Sequence, residues 1–292
     1  MLASMLISAL FCLIVQCVGG NWISNALSTS LHQTLFEQEV EDINSVHKID
    51  NHIVRRLIVM PLTDIFKPNQ ADLMHGKIQF GDKCSMPTSI GRLIFEKRYE
   101  VPWIFEMKPV KDAEKFKLIR KTVKLAKTLQ EREESNVEEK KPYSKPILNK
   151  VYFSPLDFRS PENYIFLPEW MMTELSLSPN DVVDVSMVRI KLAGLVVFQP
   201  LTLNWDELIE KGNDPKTILE HELNKYSSLT AGSTIYIEVN GTKYPLFVKD
   251  TYAEGGVRVR AVRVQDSDVN TDIDRSVLDA LKRDKEDKKL VE

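Results

Sequence analysis

Five histidines and three cysteines are the side chains of this 292-residue chain with the most distinctive chemistry, and their spacing assembles no site. A metal centre needs several imidazole, thiolate or carboxylate ligands at short, defined intervals. His32, His47 and His52 fall in the N-terminal leader, while His75 and His221 have no neighbouring thiol or imidazole. His221-Glu222-Leu223-Asn224-Lys225 starts as a zinc-protease helix would, but lysine stands where the second histidine is needed. Cys84 has no general base in its local sequence, as a nucleophile requires. Ser45-Val46-His47-Lys48 matches Ser-x-x-Lys only in form, inside a polar leader. Asp250-Thr251-Tyr252 and Asp266-Ser267-Asp268 both lack the glycine of an aspartic-protease turn. There is no Gly-x-Ser-x-Gly elbow, Walker loop or Gly-rich dinucleotide turn. The expectation is a protein with no catalytic residue, no metal site and no cofactor.

The elements that would position a site begin after a leader. Met5 to Val18 is almost continuously apolar and is followed by Gly19 and Gly20. A run this short reads as a secretory signal over residues 1–20, cleaved near Gly19, since a membrane span needs about 20 apolar residues. A buried helix or an uncleaved anchor is the alternative. Cleavage would remove Cys12 and Cys17 and leave Cys84 without an intramolecular disulfide partner. Residues 21–56 are polar, with Glu37, Glu39, Glu41 and Asp42 at their centre, and read as a largely disordered extension with a helical stretch around Leu31 to Val46.

From Leu57 the texture is β-rich: Leu57 to Met60, the alternating Lys77 to Phe80, and Trp103 to Met107, with a short helix between Met86 and Phe95. A charged insertion occupies 111–150. Its first part places Phe116, Ile119, Val123, Ala126 and Leu129 at helical spacing among lysines and arginines. That helix over 111–130 is either a membrane-surface or partner contact or a solvated helix packed by a narrow stripe. The rest of the insertion reads as linker. Strand patterns resume at Val151 to Phe153, Tyr164 to Leu167, Val182 to Ile190 and Leu195 to Phe198. Asp214-Pro215 reads as an N-cap with proline at the first helical position. Asn240-Gly241 reads as a type I′ hairpin turn between Thr234 to Val239 and Lys243 to Val248, and the overlapping Asn-Gly-Thr sequon needs no separate explanation. After Asp266 the chain is charged, with a short solvated helix at most near Val277 to Leu281.

A formal net charge of −3, 43% hydrophobic and 28% charged residues describe an ordinary globular chain. They exclude a collagen, a disulfide scaffold, a wholly disordered protein and a domain that holds nucleic acid by a net basic field. The fold class is α+β, mostly β.

Several runs carry a resemblance. Phe166-Leu167-Pro168-Glu169-Trp170-Met171-Met172 is similar to the Tyr-Leu-Pro-x-Trp-Met-Met of the ubiquitin fusion degradation (Ufd1) family, and Phe198-Gln199-Pro200 is similar to its Lys-Phe-Gln-Pro. Asn213 to Ala231, Val269 to Asp274, and Gly76 to Pro87 resemble further family segments. The likeness covers roughly 57–110 and 151–274. It implies a double-psi β-barrel over 57–200, interrupted at 111–150, then a smaller α+β subdomain over 201–272 and a charged tail over 273–292. Trp170, Met171 and Met172 read as core. The resemblance also implies a non-enzymatic, polyubiquitin-binding adaptor of the Cdc48/p97 AAA+ ATPase, working with Npl4. The family's Npl4-binding segment and Phe-x-Gly-x-Gly motifs have no counterpart in this sequence, which leaves those two contacts open. No ubiquitin-contacting residue can be carried over. A signal-bearing Ufd1-like chain fits a copy of the retrotranslocation machinery that imports proteins into a complex plastid, through the ER to the periplastid compartment. The alternatives are an adaptor on the cytosolic face of the ER, and a luminal hydrolase on the same barrel with an unrecognised site.

Overall fold

The computed structural model describes residues 21–47, 53–62, 79–110, 148–212 and 214–291. The signal segment with its cleavage near Gly19, the Lys77-Ile78 part of a strand candidate and the helix expected over 111–130 lie outside the described residues. The chain divides into two units, 1–46 with 112–136 and 47–111 with 137–292.

In the first unit, α1 (Asn21–His47) is a continuous helix of 27 residues, which corrects the expectation of a largely disordered extension. Phe36, Val40 and Asn44, four residues apart, are buried along one stripe. Leucine, glutamine and glutamate, all good helix formers, supply much of the remainder, and Gln33 Nε2 donates to Glu37 Oε1 at 3.2 Å. Among the described residues, no helix is long and apolar enough to cross a membrane.

The second unit begins with six strands: β1 (Val54–Pro61), β2 (Lys83–Pro87), β3 (Ile104–Pro109), β4 (Val151–Ser160), β5 (Tyr164–Leu167) and β6 (Val182–Val188). They close into a barrel in the order β1-β5-β2-β4-β3-β6. The β1/β5 and β2/β4 pairs are parallel, so the chain crosses over the barrel between them. Each strand sends inward two residues separated by one, the period that a pleated strand imposes. Leu57 and Val59, Cys84 and Met86, Phe105 and Met107, Val151 and Phe153, Ile165 and Leu167, and Val183 and Val185 are all buried in one cluster. Phe105 and Phe153, opposite each other in register, stack with centroids 5.6 Å apart.

Two strand boundaries differ from the pattern reading. β1 starts at Val54 because Arg56 lies opposite Asp184 on β6 and grips it with two hydrogen bonds of 2.8 and 3.0 Å. β2 is Lys83–Pro87, and of the strand candidate Lys77–Phe80 the described Gln79 and Phe80 belong to a turn over 79–82. Gly81 sits at φ +135°, and a Cβ there would lie 2.6 Å from the Lys225 carbonyl oxygen. Helix α2 (Thr88–Lys97) follows β2, and α3 (Glu169–Glu174) follows β5.

β7 (Ala193–Pro200), assigned above to the barrel, belongs to the second subdomain. It lies between β10 (Thr242–Ala253), antiparallel, and β13 (Asn270–Ile273), parallel. β11 (Arg258–Val259) and β9 (Thr234–Val239) also pair with β10, and β8 (Ser228–Thr230) pairs with β12 (Ala261–Arg263). Helices α4 (Asn204–Glu210) and α5 (Pro215–Leu223) join β7 to β8. Asp214 caps α5 as expected, accepting from the Lys216 and Thr217 amides, and Asn240 and Gly241 turn the β9/β10 hairpin at φ 51° and 78°. The tail expected to be no more than briefly helical is α6 (Ser276–Val291), anchored by Leu278, which is fully buried.

The outer face of β3 carries a pH-dependent contact. Glu106 accepts from Lys150 Nζ at 2.7 Å and Tyr152 Oη at 2.8 Å, and pairs with Lys108. Burial alone would raise its pKa, but the donated bonds outweigh burial and hold it at about 2, below the ordinary 4.5. A carboxylate depressed in the folded state stabilises above its unfolded pKa, and that contribution is lost as pH falls from about 4.5 to about 2. Glu106→Gln is therefore expected to flatten the acid limb of stability against pH, read as urea midpoints between roughly pH 5 and 3.

Candidate protein-docking surface

Three aromatic rings meet on the outside of the barrel. Phe95 comes from the last turn of α2, Trp103 from the residue before β3, and Phe158 from β4. Helix α2 buries Ile90 and Ile94, which turns the neighbouring Phe95 outward at 63% exposure. Arg98 then adopts the left-handed conformation and its amide closes on the Phe95 carbonyl, which ends the helix and sends the chain toward Trp103. The Trp103 indole donates to the Tyr99 carbonyl at 3.0 Å. Phe95 meets Trp103 edge-on at 5.5 Å, and Phe158 lies 6.4 Å from Phe95 and 6.0 Å from Trp103. Val101, 73% exposed, extends the surface. Arg92, Glu96 and Lys97 on α2 and Glu100 after it are exposed as well. Such a patch can bury apolar area against another protein.

Gly91 sets the distance between α2 and β4. A Cβ at Gly91 would lie 2.6 Å from Phe158 Cγ, so Gly91→Ala must displace the ring. The expected cost is about 1–3 kcal/mol of stability, with an altered tryptophan emission spectrum reporting the disturbed Trp103.

The motif residues lie elsewhere, inside the molecule. Leu167 and Met171 are fully buried, Trp170 and Met172 nearly so, and Pro168 is buried at the start of α3. Phe166 is partly buried on β5, opposite Met60 and Ser85. Trp170 Nε1 donates to the Gly81 carbonyl at 2.8 Å, and its ring lies 6.4 Å from that of Tyr226 in the second subdomain. Phe198 and Pro200 are buried on β7, and the Gln199 amide donates to Asp274 and Ser276 at 3.1 and 2.8 Å, tying β7 to the start of α6. Motif and docking surface therefore do not coincide.

A buried polar clasp fixes the two subdomains to each other. Asp82, fully buried, accepts at 2.8 Å from the amides of Ser227 and Ser228 and from the Ser228 hydroxyl. Lys83 Nζ donates to Ser154 Oγ at 2.7 Å and to Ser227 Oγ. Burial raises the Asp82 pKa, opposed by Lys83 and by the serine donors.

Cys84 faces the barrel core, 3.6 Å from Met171 Sδ, and burial, with Asp82 nearby, pushes its thiol well above the usual range. His221 is exposed beside Glu222. Among the described residues, no three histidine, cysteine or acidic side chains converge as a metal site.

Comparison with known proteins agrees with this anatomy. Residues 63–191 match the family model for the ubiquitin fusion degradation protein UFD1, N-terminal subdomain 1, and residues 192–276 match its N-terminal subdomain 2. The junction falls between β6 and β7. The ubiquitin fusion degradation protein 1 homolog of Dictyostelium discoideum is 31% identical over 130 residues, 44% of this chain and 37% of that protein. The human ubiquitin recognition factor in ER-associated degradation protein 1 is 32% identical over 119 residues, 41% of this chain and 36% of that protein. The Caenorhabditis elegans homolog is 22% identical over 210 residues, 72% of this chain and 48% of that protein. The chain thus spans about a third to a half of the length of these relatives. With both N-terminal subdomains matched in order, over a closed barrel followed by a smaller α+β subdomain, the chain belongs to the Ufd1 family.

Proposed function

We propose that this chain is a non-enzymatic ubiquitin-binding adaptor of a Cdc48/p97-type AAA+ ATPase, serving ubiquitin-dependent extraction or translocation of proteins. The observation that carries the reading is the pair of matched Ufd1 subdomains, whose human relative is named a ubiquitin recognition factor in ER-associated degradation. The Phe95, Val101, Trp103 and Phe158 surface is the docking face for ubiquitin, because it joins exposed apolar area to a mixed charged rim on a rigid barrel. Titration of the purified chain with polyubiquitin tests this directly. Saturable binding is expected; its absence would remove the reading.

The N-terminal apolar run supports a route through the ER to the periplastid compartment of a complex plastid, where such an adaptor would handle ubiquitylated precursors. Residues 1–56 fused to a fluorescent protein should collect at the plastid. Uniform ER-lumen or secreted signal would overturn that destination, and an intact N-terminus by mass spectrometry would favour the cytosolic face of the ER. An Npl4-like partner is part of the proposal, and co-purification in the same cells tests it.

A further inference from the structure

A groove of about 500 Å³ opens beside the aromatic surface, with walls from both subdomains. Its size falls within the roughly 300–1,000 Å³ typical of ligand sites. Ile53 and Ile104, both buried, line it with Met187, Val188 and Ile190, and the exposed Val101 stands on one wall. Arg189 and Arg263 also line it. Arg189 is exposed on the segment leaving β6, while Arg263 belongs to β12, whose backbone is held to Lys191 and Ser228. The Nε of Arg263 is buried and has no hydrogen-bond partner among the described residues. A buried donor left unpaired is costly, and a carboxylate oxygen is the strongest acceptor for a guanidinium. Among the described residues that line it, Glu100 is the only acidic one, and it is exposed, so its charge is screened by solvent.

We propose that this groove binds an extended segment of a partner protein in which an apolar side chain lies next to a carboxylate. The apolar lining takes the side chain and the two arginines take the carboxylate. A free inorganic anion would leave the isoleucine, valine and methionine surface uncovered, and a purely apolar segment would cover the two arginines without giving their charges a partner. A folded domain is too large for the cavity, so the occupant is a single strand of chain. The groove shares Val101 and Glu100 with the aromatic surface but none of its three rings, and it stands whether or not those rings bind ubiquitin.

The test is a phage-displayed random heptapeptide library panned against the immobilised full chain, followed by fluorescence anisotropy of the enriched peptides. Enriched sequences should place aspartate or glutamate within two positions of leucine, isoleucine, valine, methionine or phenylalanine. Their affinity should fall by at least about tenfold in Arg189→Glu and about thirtyfold when Arg263→Glu is added, and should weaken with salt. Polyubiquitin binding by both variants should be unchanged, which separates this site from the docking face. If the double variant does not fold, Arg189→Glu alone decides, because Arg189 is exposed. No enrichment, enrichment without acidic residues, or binding that survives Arg189→Glu would overturn the proposal.

Discussion

Trp170→Ala should remove about 3–5 kcal/mol of unfolding free energy, the usual cost of truncating a large buried aromatic residue. Domains of this size are commonly stable by about 5–15 kcal/mol, so the loss takes a large share of the total. The indole sits where the two subdomains share one core. Its Nε1 bonds the Gly81 carbonyl on the barrel side, and its ring meets Tyr226, whose hydroxyl donates to the Tyr236 carbonyl at 2.9 Å. Removing it opens a cavity beside the Asp82 clasp and leaves the neighbouring polar groups less shielded from water. Urea unfolding followed by circular dichroism measures the effect. Trp170→Phe keeps most of the packing and should cost less, with loss of the Gly81 bond contributing about 1 kcal/mol. A shift below about 1 kcal/mol for Trp170→Ala would show that the subdomains do not depend on this contact.

Phe95→Ala should weaken polyubiquitin binding about thirtyfold, the equivalent of about 2 kcal/mol for an aromatic hot spot. Its thermal unfolding should change little, since Phe95 is 63% exposed and gives up little buried area on truncation. The ring also supports Trp103 edge-on at 5.5 Å, so Trp103→Ala should weaken binding as well, at a larger cost in stability because Trp103 is partly buried. Trp170→Phe is the control in the opposite sense: a stability change with binding intact. The pair of measurements separates docking face from core.

Local chemistry made parts of this fold legible in the sequence. Asp214-Pro215 and Asn240-Gly241 state their own backbone geometry, and the structure places them as cap and hairpin turn. The Phe166 to Met172 run carried a recognisable family motif within seven residues, and its Trp170, Met171 and Met172, read as core, are buried. What could not be read was allegiance over distance. The apolar run of β7 suits a barrel strand as well as the sheet it joins, and only its pairing with β10 and β13 decides. Helix α6 is anchored by one buried leucine among charged residues, too little for a periodic signal. The docking surface was invisible for the same reason: Phe95, Trp103 and Phe158 lie in three separate elements, and each alone looks like an ordinary core aromatic. The only local signal was Phe95 one position beyond Ile94 on the helix, where an amphipathic face should already have ended.

Affinity purification of the full chain from its native cells tests the adaptor role most directly. Ubiquitin conjugates and a Cdc48/p97-type ATPase should be recovered together, and Phe95→Ala should lose the conjugates while retaining the ATPase. Recovery of the chain with neither ubiquitin conjugates nor an AAA+ ATPase would contradict it.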